Sequence, residues 1–121
     1  MRGLLEPVVA FIIGLIVAGD AAYNGVHLLL AETDAQKRRE WIAALDKVES
    51  LKPRTVIAGH KRPGNEDHPR IIEDTRQYIR DFDRLVRTAT TVRELHVQML
   101  HLHPLRMNVN ALWTSALAFE G

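Results

Sequence analysis

No cysteine occurs among the 121 residues. Disulfides, thiolate zinc sites and cysteine nucleophiles are thereby excluded, and any transition-metal site must be built from the six histidines and the carboxylates. An excess of one charge sign is also absent. Sixteen Lys and Arg stand against 15 Asp and Glu, a formal charge of +1, so the broad attraction of a basic domain to nucleic acid is not indicated. Nor is there an apolar run of the roughly 20 residues that a membrane-spanning helix needs. The run from Val8 to Gly19 is twelve residues long, and no membrane partner is expected. Internal repeats, low-complexity tracts and linkers are missing as well. What remains, 46% hydrophobic and 26% charged residues, is the composition of an ordinary globular chain, long enough for one core and read as a single domain over 1–121.

The period of the apolar residues sets out the elements. The run Val8–Gly19 is β-branched and predicts buried strand structure closed by a turn at Gly19-Asp20, covered on both faces. Arg2 ahead of this run and the small residues Val17-Ala18-Gly19 also fit a secretory signal, a reading opposed by Glu6 and by the β-branched content. From Thr33 the period becomes helical. Thr33-x-x-Gln36 reads as a capping box, Trp41, Leu45, Val48 and Leu51 form a stripe, and Pro53 ends the helix. Thr55–Gly59 predicts a second buried strand, and Pro69 opens a helix whose buried side is Ile71, Thr75, Tyr78, Phe82 and Leu85. Thr91-x-x-Glu94 caps another helix, ended by Pro104, and a last one begins after Asn108 or Asn110. The fold class is α/β at the front, with helices closing the C-terminal end.

Two segments repeat one device: Val17-Ala18-Gly19-Asp20 and Val56-Ile57-Ala58-Gly59-His60 each deliver a metal-competent side chain directly after a glycine. Glycine lets the backbone turn sharply at a strand end, where ligands gather in helix-covered sheets. Asp20 and His60 are thus expected to meet at one rim. On spacing alone, a turn cap for Asp20 and a loop hydrogen bond for His60 explain the residues as well, and two ligands fall short of the three or four of a zinc site.

The stretch Gly19-Asp20-Ala21-Ala22-Tyr23-Asn24-Gly25-Val26-His27, with Trp41-Ile42-x-Ala44-Leu45 and Ala58-Gly59-His60-Lys61-Arg62-Pro63-Gly64, resembles the C-terminal half of metallo-β-lactamase-fold hydrolases. The likeness extends through Arg70–Arg84 and Asn110-Ala111-Leu112-Trp113. It implies a fold that is one half of an αββα sandwich, with few strands and about four helices. It also implies metal-ligand roles: Asp20 as the residue that bridges two metal ions and His60 as a ligand of one of them. The family's His-x-His-x-Asp-His segment belongs upstream of Glu6 and is missing from this sequence, so the resemblance implies a weak or incomplete zinc site. His101-Leu102-His103 copies part of that motif, but lies far downstream on a helix, where residues two apart point to different sides. These two and His96 are expected at the surface, and His68 at a helix entry. Tyr23, Asn24 and His27 are the candidates for a substrate pocket wall, with a structural role for His27 an equal alternative.

A half sandwich has an open apolar sheet face, which a symmetric homodimer would bury on both chains. Such a dimer would supply two aspartates and two histidines, the number a tetrahedral site takes. The helices after Arg70 folding back over the sheet would serve as an alternative cover. The expected function is a homo-oligomeric or interaction module without hydrolase activity of its own, in the cytoplasm. The alternative is a zinc-dependent hydrolase whose site is completed by self-assembly or by a partner chain carrying the missing histidines. A third reading, a module that docks an acidic partner on Lys37-Arg38-Arg39 and Arg84 with Arg87, would be marked by salt-dependent binding.

Overall fold

The structure, a computed structural model, describes residues 8–10 and 15–119. It is mixed α/β, in the order β1 (Val8–Ala10), β2 (Leu15–Asn24), α1 (Ala35–Ser50), β3 (Thr55–Lys61), α2 (Ile71–Thr88), α3 (Val92–Leu102) and α4 (Val109–Leu117). The three strands form one sheet in the order β1-β2-β3. β1 runs antiparallel to β2 with Val8 opposite Val17, whereas β3 runs parallel to β2 with Leu15 opposite Thr55. The parallel pair requires a crossover, and α1 supplies it.

Two expectations about the strands are corrected. The chain does not turn at Gly19-Asp20, since β2 continues to Asn24, and β3 likewise continues past Gly59 to Lys61. The glycines mark irregularities within the pairing instead. Val17 faces Ile57 and Tyr23 faces His60, so β2 spends three more residues than β3 over the same span. Gly19 takes a left-handed φ of 58° at this point, a conformation glycine adopts without steric cost. The strands are also not covered equally on both faces. Val56 and Ala58 are buried while Thr55 and Ile57, which alternate with them, are only partly covered, the alternation of a sheet with one packed face. The Arg2 and Glu6 of the signal-segment reading lie outside the described residues.

On the packed face α1 and α2 lie side by side against β2. The backbone groups that the irregular part of β2 withdraws from the ladder find partners on these helices. The Trp41 indole N–H donates to the Ala21 carbonyl at 2.7 Å, and the Thr75 hydroxyl accepts from Tyr23 N–H and donates to Tyr23 C=O, both at 3.1 Å. Buried backbone polar groups must be satisfied, so these two side chains hold the bulged segment in place. Trp41, Leu45 and Val48 of α1 join Ile71, Tyr78, Phe82 and Leu85 of α2 in the core. Leu51, counted in the α1 stripe from its spacing, is the C-cap and is 39% exposed.

The helix ends follow their capping chemistry. Asp34, not Thr33, caps α1, accepting from Lys37 N–H at 2.7 Å, while the Thr33 hydroxyl donates to Leu30 C=O. Asp34 lies one residue closer to the helix and reaches the free N–H directly. Thr91 caps α3 by accepting from Glu94 N–H, and Glu94 returns the bond to the N–H of Thr90. The His68 ring nitrogen accepts from Arg70 N–H just before α2, the helix-entry role expected of it. Asn108, left-handed at φ 65°, precedes α4. The segment after β2 is tied to this end of the chain: Val26 bridges Met107, and the Ser115 hydroxyl accepts from Leu30 N–H at 2.7 Å. No helix among the described residues is long and apolar enough to cross a membrane.

Candidate metal-binding rim at Asp20 and His60

Asp20 and His60 come together, as their places after Gly19 and Gly59 led us to expect. Asp20 Oδ1 lies 3.0 Å from His60 Nε2, and both side chains are about half exposed, at 47% and 50%. The approach depends on glycine. A Cβ on Gly59 would sit 2.6 Å from the carbonyl carbon and oxygen of Gly19 and 2.9 Å from Asp20 Oδ1, closer than atoms pack. Any side chain at position 59 would therefore push the two strands, and with them the two donors, apart.

Tyr23 fixes the imidazole from below. Its ring stacks on His60 with centroids 4.7 Å apart and planes inclined by 16°. Tyr23 is buried, and burial, ahead of the nearby Asp20 charge, raises its phenol pKa. Beside the pair opens a cleft of about 160 Å³, walled by Leu29, Thr33 and Trp41 with Glu32. Glu32 and Leu29 were not anticipated as neighbours of the rim. They belong to the irregular segment after β2, for which periodicity offers no guide.

The other two candidates for a pocket wall have different surroundings. Asn24 is buried, and its amide donates to Glu66 C=O at 2.8 Å while its carbonyl accepts from the Asn65 amide at 3.0 Å. It braces the loop after β3 and borders a second, larger cavity. His27 is fully buried and sits in the core with Nδ1 2.9 Å from the Tyr78 hydroxyl. Burial first, then the charges of Arg106, His103 and His96, hold its pKa down at about 4. It is therefore a neutral core histidine over the physiological range.

The expectation that His103 is a surface residue is also corrected. Its side chain is only 14% exposed, bonds Asp81 at 2.9 Å through Nε2 and packs on Tyr78 at 4.7 Å. Burial lowers its pKa, with Asp81 opposing. The basic faces thin out in the same way. Arg38 is buried and bonded to Asp83, Arg84 pairs with Asp81, and Arg87 pairs with Asp83.

Two ligands of one tetrahedral zinc, each about 2.0–2.2 Å from the ion, stand roughly 3.3 Å apart. The Asp20–His60 separation of 3.0 Å is that of a hydrogen-bonded pair, and opened by a few tenths of an ångström the two would fit two of the four positions around such an ion. Among the described residues no group of three or more His, Asp and Glu side chains comes together closely enough to hold a metal. The donor set among the described residues fits a zinc ion by half, and no hydrolytic step is derived from it. No family model, curated protein or solved structure matches the chain.

Proposed function

We propose that the chain is a metallo-β-lactamase-like half sandwich that works as a homo-oligomeric module, with Asp20 and His60 as a half-site for zinc that a second copy completes. The observation that carries this reading is the convergence of the two donors, 3.0 Å apart on an open rim, on a chain whose described residues supply no third. A zinc ion takes three or four protein ligands, and a two-fold axis through the rim would bring two aspartates and two histidines to one ion. The partly covered sheet face carrying Thr55 and Ile57 supports the same assembly, because pairing removes it from water. The isolated chain is not a hydrolase on this account, because its two donors fall short of the three that hold a catalytic zinc, and the four donors of the dimer leave no position for water.

A second reading rests on the cleft beside the rim. With the metal set completed by a partner chain, the 160 Å³ space between Trp41, Leu29 and His60 would border the ion, and the assembly would be a zinc-dependent hydrolase. Sedimentation equilibrium separates the possibilities. The proposal expects a dimer strengthened by zinc in the wild type and unaffected by zinc in Asp20→Ala and His60→Ala. A monomer at all zinc concentrations contradicts it. Hydrolysis that appears only when a second, different chain is added supports the other reading.

A further inference from the structure

On a different part of the molecule, a cavity of about 680 Å³ opens between the end of β2, the loop after β3, the start of α2 and the connection from α3 to α4. This volume lies in the range of small-molecule sites. Three arginines border it: Arg62, Arg70 and Arg106. Among the described residues Arg38, Arg76, Arg80, Arg84 and Arg87 pair with carboxylates, whereas Arg39, Arg54 and Arg93 do not but border no such cavity. None of the three around the cavity has a carboxylate within 4.0 Å among the described residues.

Arg106 shows the imbalance most clearly. Its guanidinium donates to Val26 C=O at 2.6 Å and to Asp74 C=O at 3.1 Å, and lies 4.9 Å from the centre of the Tyr78 ring. These partners orient the cation without neutralising it. Burial lowers its pKa, and the neighbouring Tyr78 and Asp74 side chains offset this only in part. Arg62 likewise gives its N–H to a backbone carbonyl, that of Leu105 at 3.2 Å. The Arg70 side chain has no hydrogen-bond partner among the described residues. Glu66 and Asp74 also border the cavity, which leaves the wall with one positive charge in excess.

We propose that this cavity binds a small organic anion through a carboxylate or phosphate group held by Arg62, Arg70 and Arg106. A partly buried guanidinium without a counter-ion is costly unless an anion supplies one, and arginine offers a fork of donors matched to oxyanions. The cavity exceeds the volume of a bare phosphate ion, which leaves room for an organic body on the ligand. Tyr23, Ile71, Leu102, Pro104 and Leu105 form the apolar part of the wall, against which that body would rest. The proposal does not rest on the zinc half-site, whose donors Asp20 and His60 do not border this cavity, although Tyr23 borders both.

The test is calorimetric titration of the full chain at low salt with glycerol 3-phosphate, citrate and inorganic phosphate, repeated with nitrogen-15 NMR to locate the site. Saturable binding of glycerol 3-phosphate or of citrate is expected, tighter than that of inorganic phosphate, with shifts at the amides of Arg70 and Arg106. The two organic anions separate a phosphate from a carboxylate preference. Loss of one charge-assisted hydrogen bond weakens binding about tenfold, the effect expected for Arg106→Gln. Arg106 also ties two backbone carbonyls, so Arg62→Gln with Arg70→Gln, on exposed side chains, is the second variant, expected to weaken binding at least as much while leaving the fold intact. No saturable binding of any of the three anions up to about 10 mM, or equal binding by the double variant, overturns the proposal.

Discussion

Lowering the pH from 7 to 5 should destabilise the protein through His27. In the folded chain this residue is fully buried and remains neutral down to a pKa of about 4, whereas a solvated histidine in the unfolded chain titrates near 6.5. Between these values the unfolded state binds the additional proton. The contribution of His27 is therefore fully present above about pH 6.5 and is lost progressively as the pH falls toward 4. Each pH unit in that window costs about 1.4 kcal/mol, or about 2 kcal/mol between pH 6.5 and 5. The groups that face His27 act in one direction: Tyr78 of α2 is a neutral phenol raised by burial, and Arg106, His103 at the end of α3 and His96 of α3 all oppose a further positive charge. His103, with a pKa also lowered chiefly by burial, adds a smaller slope of the same sign. Urea unfolding followed by the fluorescence of buried Trp41 measures the effect. The wild type should lose about 2 kcal/mol between pH 6.5 and 5, and His27→Gln, which keeps an acceptor for the Tyr78 hydroxyl, should lose most of that dependence. Exposed His101→Gln serves as the control and should leave the slope unchanged. An identical slope in the wild type and His27→Gln would refute the reasoning.

Gly59→Ala places a Cβ against the Gly19 carbonyl and should cost about 1–3 kcal/mol in thermal or urea unfolding, as overpacking does; unchanged stability would show that the two strands can separate freely there. Thr75→Val keeps the shape of the side chain but removes the hydroxyl that serves both the N–H and the C=O of Tyr23, and should cost about 1–3 kcal/mol by the same assay. Arg76 is 7% exposed and bonded to Asp46, Glu49 and Glu73, whose own side chains are about half exposed. Arg76→Leu should cost about 1–2 kcal/mol, less than a fully buried pair because the stranded carboxylates reach water, and the loss should grow at low salt.

The helices were legible because each carries its own local signal. The Thr91–Glu94 box, Pro53 and Pro104 at the ends, and the 3.6-residue spacing of Ile71, Thr75, Tyr78 and Phe82 depend on neighbours in sequence, and all correspond to observed elements. The strands were less so. A glycine within an apolar run signals a turn or a bulge equally well, and only the pairing with β3 decides that Gly19 is part of a bulge. Bringing Asp20 to His60 required no more than two similar strands side by side. The burial of His27 and His103 was not legible, because the partners that enclose them, Tyr78 and Asp81, lie 51 and 22 residues away. The arginine-bordered cavity was hidden for the same reason: Arg62 and Arg70 come from the two ends of the β3–α2 connection and Arg106 from the α3–α4 connection, and each reads as an ordinary surface cation in its own segment.

The measurement that bears most directly on the Asp20–His60 half-site is zinc stoichiometry, by mass spectrometry of the metal on tag-free protein stripped with chelator, reloaded and dialysed. The account predicts one zinc ion for two chains, lost in Asp20→Ala and in His60→Ala while both variants keep the helical circular dichroism of the wild type. Zinc at background level in the wild type, or retained unchanged in both variants, would contradict it.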